Sequence, residues 1–140
     1  MIRGRFGKML VVAVVTTAAG ASCAKIEMEN RAIKLDQAVR LYEESIRWGN
    51  FDIAAGLLRR RDGGATSATV KVPAEVRVTA YSSSILNIND SLDEATVATQ
   101  FDYYYPDTNK VRTSSQADLW WYDPGTEQWY MDGRLPDFGR

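Results

Sequence analysis

The apolar residues of this 140-residue chain change their period once, and that change limits the folds open to it more than any single motif does. Between Glu27 and Trp48, Leu35, Ala38, Val39, Tyr42 and Ile46 recur at three- and four-residue steps. Lys34, Asp36, Arg40, Glu43, Glu44 and Arg47 fill the other positions, the pattern of a one-faced helix. Gly49 suits a left-handed C-terminal cap, Asn50 the next N-cap, and Ile53, Ala54, Leu57 and Leu58 the apolar face of a second helix. That helix is expected to stop near Arg59-Arg60-Arg61, whose cations complement its C-terminal end, before Asp62-Gly63-Gly64. Beyond the small residues Gly63 to Ser67 the period falls to two and stays there.

Val76, Val78 and Ala80 alternate with Arg77, Thr79 and Tyr81 in a first strand, with a bulge expected at Ser82-Ser83-Ser84. A turn follows over Asn87 to Asp93. The second strand, Glu94 to Tyr105, puts Val97, Thr99, Phe101, Tyr103 and Tyr105 on one face. In the third, Val111 to Tyr122, the more apolar set is Val111, Thr113, Ser115, Ala117, Leu119 and Trp121, so odd residues are expected to pair with odd, Tyr105 opposite Val111. Asp123-Pro124-Gly125-Thr126 is a turn, and a four-residue loop there would set Trp120 opposite Trp129 and Leu119 opposite Tyr130. Pro136 ends ladder pairing, leaving Leu135 and Phe138 to cover an open end of the core. The expected architecture is α+β, with two N-terminal helices packed on the concave face of a curved four-stranded antiparallel sheet, in one domain over 31–140.

Ahead of that domain, Arg3, Arg5 and Lys8 form a cationic segment, and Met9 to Ala19 an apolar one of 11 residues, followed by Gly20-Ala21-Ser22-Cys23. These are the parts of an export signal over 1–22, and the apolar run is well short of the about 20 residues that span a bilayer. Ala21-Ser22-Cys23 resembles the lipobox of bacterial lipoproteins, although Gly20 stands where that family usually has leucine. The resemblance implies lipidation of Cys23 as the mature N-terminus, a membrane partner, and, with Ala24 following, an outer-membrane protein facing the periplasm. Ordinary cleavage after Ala19-Gly20-Ala21 is the competing product. Residues 23–30 read as a polar tether reaching about 25 Å when extended.

Residues 23–140 carry 14 Lys and Arg against 18 acids, a formal charge of −4, which argues against a nucleic-acid partner. The single cysteine excludes an internal disulfide. The absence of histidine removes Ser-His and Cys-His nucleophile pairs and imidazole metal ligands. Asn87, Asn89, Ser91 and Asp93 offer too few charged ligands for calcium, and Leu92 stands where a calcium loop needs glycine, so neither metal nor cofactor is expected.

The element order, the passage Trp48-Gly49-Asn50-Phe51-Asp52-Ile53-Ala54-Ala55-Gly56-Leu57-Leu58 and the late tryptophan strand ending in Leu135-Pro136 resemble the NTF2-like (SnoaL-like, cystatin-like) superfamily. That resemblance implies a conical pocket, for which Tyr42, Phe101, Tyr103 and Trp121 are the lining candidates, and no catalytic residue carries over. Alternation displays Tyr104, Trp120 and Tyr122 as surface aromatics, while Asp102 and Asp118 fall on polar faces. The function expected is non-catalytic binding of an envelope protein, a second copy of the chain or a small apolar ligand. The alternatives are a pocket isomerase or lyase using Asp and Tyr, and a module that stacks on cell-wall glycans.

Overall fold

Helix α1 runs unbroken from Ala19 to Arg47, because no proline or glycine interrupts the good helix formers between Ala21 and Arg47. The computed structural model describes residues 19–64 and 72–140, so most of the 1–22 leader and the end of the Gly63–Ser67 connection lie outside the described residues. The polar stretch 23–30 is therefore helical, not an extended tether, and covers about 12 Å at 1.5 Å per residue. Its side chains are exposed throughout. From Leu35 onward one stripe turns inward, burying Leu35, Val39, Tyr42 and Ile46. The helix ends in a Schellman cap: Gly49, at φ +76°, donates its N–H to the Ile46 carbonyl, and Asn50 donates to Ser45.

The second helix, α2, spans only Phe51–Gly56 and buries Ala54, and Asn50 makes no side-chain cap bond to it. It stops short of the arginine triplet because its continuation is claimed by a strand. Met131 donates its N–H to the Leu57 carbonyl, and Arg59 donates to the Met131 carbonyl. This parallel bridge between Leu58 and Met131 satisfies backbone groups that a sheet edge would otherwise leave open.

Four antiparallel strands follow, β1 Arg77–Ile88, β2 Glu94–Tyr104, β3 Arg112–Asp123 and β4 Gln128–Asp132, side by side in chain order in one open sheet. The fold is α+β, with the helices on one face. Irregularities in β1 lie between Val78 and Ala80 and between Ile85 and Asn87; the serine triplet between them is regular. The Asn89–Asp93 turn satisfies itself: the Asn89 side-chain oxygen accepts the N–H groups of Asp93 and Glu94, and its amide donates to the Asp93 carboxylate.

The β2–β3 ladder pairs Tyr103 with Arg112 and Ala95 with Trp120, so odd residues of β2 face even residues of β3. This is one residue away from the odd-with-odd alignment, and it reverses the faces of β3. The β3–β4 ladder pairs Trp120 with Met131, Trp121 with Tyr130 and Tyr122 with Trp129, a shift of two from the expected pairing that keeps its parity, so the reversal of β3 carries over to β4 and turns Trp129 and Met131 inward in place of Tyr130. The two ladders are coupled. The observed pairing buries Trp120, Tyr122, Trp129 and Met131 together, whereas the odd alignment would bury Leu119, Trp121 and Tyr130. The larger apolar volume decides, against the simple count of apolar positions on β3.

Leu135, Pro136 and Phe138 leave the sheet and are buried over the end of the core. Tyr105 and Tyr103 fasten them, donating their hydroxyls to the Phe138 and Gly139 carbonyls at 2.5 and 2.7 Å. Among the described residues, no helix is long and apolar enough to cross a membrane.

Candidate functional site

Register determines what reaches the inner, helix-covered face of the sheet. Of the pocket-lining candidates, Tyr42, Phe101 and Tyr103 are there, but as packed core. The Tyr42 ring meets Phe101 at 6.2 Å and Trp120 at 5.9 Å, both edge-on, and Phe138 closes on Tyr103 at 4.9 Å. Trp121, the fourth, is on the outer face, 5.6 Å from the Tyr130 ring, with its indole N–H donated to the Arg59 carbonyl at 2.8 Å. Conversely, Trp120 and Tyr122 are buried, not displayed, because the one-residue register difference turns them inward. Tyr104 lies on the outer face and is half-buried.

One polar row crosses this inner face. The ladders set Ser83 opposite Thr99 and Thr99 opposite Gln116, beneath Tyr42 and Glu43 of α1. Gln116 gathers three oxygens about its side-chain nitrogen: the Tyr42 hydroxyl at 3.2 Å, Asp118 Oδ2 at 2.7 Å and the Arg134 carbonyl at 3.1 Å. Burial pushes the Tyr42 hydroxyl far above its ordinary pKa. Asp118, expected on a solvated face, points inward because β3 is reversed, and burial pushes its carboxyl up to about 6 against the opposing Gln116 bond and Arg134 charge. Gly133 makes room for it: a Cβ there would lie 2.5 Å from Asp118 Oδ1. Glu43 is shifted upward too, chiefly by burial, while the Ser83 hydroxyl bonded to it opposes the shift.

Asp118 and Tyr42 thus share an amide but not a cavity. A depression of about 320 Å³ beside Asp118 is lined by Arg60, Asp132, Gly133 and Arg134, and Tyr42 is not among its walls. General acid–base work on a bound substrate needs both groups within reach of the reacting atoms, and this arrangement offers only the carboxyl. No cluster of three acidic or sulfur side chains that could hold a metal forms among the described residues.

The arginine triplet, which sequence placed at a helix end, is a set of ion pairs. Arg59 meets Asp123 at 3.0 Å and lies over the Tyr130 ring, Arg60 meets Asp62 at 2.7 Å, and Arg61 meets Glu94. Each cation has its own carboxylate, so the triplet is not a bare cationic patch. Asp102 is on the outer face and accepts a hydrogen bond from the Thr113 hydroxyl at 2.8 Å.

Among the described residues no element covers the outer face of the sheet. At its centre Ser82, Gln100 and Ser115 lie abreast, with Ser84, Ala98 and Ala117 in the next row, around a shallow depression of about 520 Å³. Leu119, Trp121 and Tyr130 stand half-buried at its β4 side. Cys23 is an exposed free thiol near the start of α1. The outer-face small residues were not singled out from sequence, because alternation marks a face as polar without saying whether another element covers it. No family model matches this sequence, and no curated protein matches it.

Proposed function

We propose that the chain is a lipid-anchored protein of a bacterial cell envelope, exported by residues 1–22, acylated at Cys23 and facing the periplasm from the outer membrane. Its NTF2-like domain binds another envelope protein through the outer face of the sheet and catalyses no reaction. The observation that carries the binding reading is the contrast between the two sheet faces. The inner face is filled by Tyr42, Phe101, Trp120, Trp129 and Met131, which leaves a small apolar ligand no room among them. Among the described residues no element covers the outer face, which offers a shallow centre rich in small side chains, which a partner's backbone can approach closely, beside the Trp121–Tyr130 pair. A glycan-stacking surface built on Trp120 and Tyr122 is less well supported, since both are buried.

The anchor reading rests on the leader pattern and on Cys23 being exposed. A single helix then joins the lipidated residue to the core, so the domain is held rigidly to Cys23 and not through a flexible tether. Intact mass of the protein extracted from the membranes of its own cells tests the anchor. A chain beginning at Cys23 with added acyl mass, lost in Cys23→Ser, is expected; an unacylated chain beginning at Ser22 overturns it. A photo-crosslinking residue at Gln100 tests the face. A discrete protein adduct in cells is expected there, and none at Asp36 on the exposed side of α1; equal labelling at both positions overturns the assignment.

A further inference from the structure

We propose that β1 is an interface: it pairs antiparallel with β1 of a second copy about a two-fold axis at Ser83, joining two four-stranded sheets into one of eight. Both ends of the sheet have an edge strand, but they are treated differently. The β4 edge is covered by the Leu58 bridge, whereas among the described residues β1 has a strand neighbour only on its β2 side. Exposed edges are normally guarded by charge, proline or brevity. This one is 12 residues long and carries no proline, and its only charge is at its first residue, Arg77. Between its two irregularities it is regular over Ala80 to Ile85.

The residues of that stretch are self-complementary. Tyr81 and Ile85 lie opposite Phe101 and Val97, so they share the inner face, yet they remain 39% and 54% exposed at the rim of the core. A two-fold axis at Ser83 sets Tyr81 opposite Ile85 of the other copy, twice, as aromatic–aliphatic pairs on a single face. The small Ser83 side chains meet at the axis without clash. Past the two irregularities the antiparallel arrangement still runs the exposed Arg77 end of one strand toward the exposed Asp90 just beyond the end of the other, so opposite charges meet at both ends. Any other axis residue breaks one of these matches. An odd sum of paired residue numbers would oppose inner-face to outer-face side chains, and shifting the axis by one residue separates Tyr81 from Ile85. The inference needs neither the lipid anchor nor the outer-face partner.

The full-length chain, purified in detergent, tests it by light scattering across a concentration series. A dimer is expected, with Ile85→Lys and Tyr81→Lys each raising the dissociation constant at least tenfold; both side chains are exposed in the single chain, so the fold is retained. Arg77→Glu and Asp90→Lys should each weaken association, and together restore it. In a Cys23→Ser background, Ser83→Cys should form a disulfide-linked dimer under mild oxidation, while Ser115→Cys, on the outer face two strands from the edge, should not. A monomer throughout the series, a dimer indifferent to both lysine substitutions, or equal crosslinking at both positions overturns the proposal.

Discussion

Ala95 stands directly opposite Trp120 in the β2–β3 ladder, a methyl group facing an indole, and the space this leaves is filled by the Tyr42 ring of α1 at 5.9 Å from the indole. Trp120 is completely buried, while its neighbour Trp121 lies on the other face. Trp120→Ala should therefore cost about 3–5 kcal/mol of stability, the usual loss for a large buried aromatic. Trp121→Ala removes a tilted ring contact, a hydrogen bond and the Arg59 guanidinium's contact with its ring at 5.8 Å, all on the outer face, and should cost about 1–2 kcal/mol. Urea unfolding of the two variants orders them; the reverse order would mean that β3 is paired one residue out.

Why that register was hard to read follows from the same residues. Trp120-Trp121-Tyr122 is an aromatic run, and a run carries no parity, so the strand's faces had to be inferred from Val111 to Leu119, where the odd set is more apolar. The deciding contacts come from elsewhere: Tyr42 on α1 and Met131 and Trp129 on β4. Where a residue's environment is local, the pattern sufficed. The α1 stripe and the alternation of Val97, Thr99, Phe101 and Tyr103 in β2 match the burial observed. The early end of α2 was illegible for the reason that β3 was: Leu57 and Leu58 continue a helical period, yet the β4 edge takes their backbone. Asp118 inherits the error in β3, which is why the polar cluster around Gln116 was not foreseen.

The raised Asp118 carboxyl makes stability depend on pH in a stated direction. Its pKa rises from 3.8 to about 6 on folding, so between those values the native state holds a proton that the unfolded chain has released. Stability contributed by this group is thus present at low pH and falls as pH rises through the window from 3.8 to about 6, then stays low. Asp118→Asn removes the charge and keeps an acceptor for Gln116. It should raise the urea midpoint at pH 7.5 and leave it nearly unchanged at pH 3.5, where the native acid is already neutral. A variant less stable than the wild type at pH 7.5 would show that the carboxylate is stabilised by its surroundings.

The hairpin joining β3 and β4 places its strain at an unexpected residue. Gly125 keeps an ordinary negative φ and donates its N–H to Asp123 Oδ1 at 2.9 Å, while exposed Glu127 takes the left-handed conformation at φ +54°. A non-glycine residue there costs about 1–2 kcal/mol, and glycine returns about 0.5–1 of that through its freer unfolded chain. Glu127→Gly should therefore stabilise by roughly 0.5 kcal/mol, read as a higher thermal midpoint. A lower midpoint would mean that the Glu127 side chain makes a contact worth more than the strain.

The C-terminal segment covers the core without belonging to the sheet, so its contribution rests on a few side chains that can be removed singly. Phe138 is buried, 4.9 Å from Tyr103 and 6.3 Å from Phe101, and its carbonyl accepts a hydrogen bond from the Tyr105 hydroxyl. Phe138→Ala opens the apolar end of the sheet and should cost about 3–5 kcal/mol. Tyr105→Phe leaves the ring packed beneath the Arg140 guanidinium, 4.6 Å from its centroid, and removes only the bond to the Phe138 carbonyl. That loss should be about 1–2 kcal/mol, including an acceptor left partly unsatisfied. Because Tyr105 acts on the segment through that bond, the double variant should cost less than the sum of the two single losses. Strict additivity in denaturant melts would show that the hydroxyl stabilises the β2 end independently of where Phe138 sits.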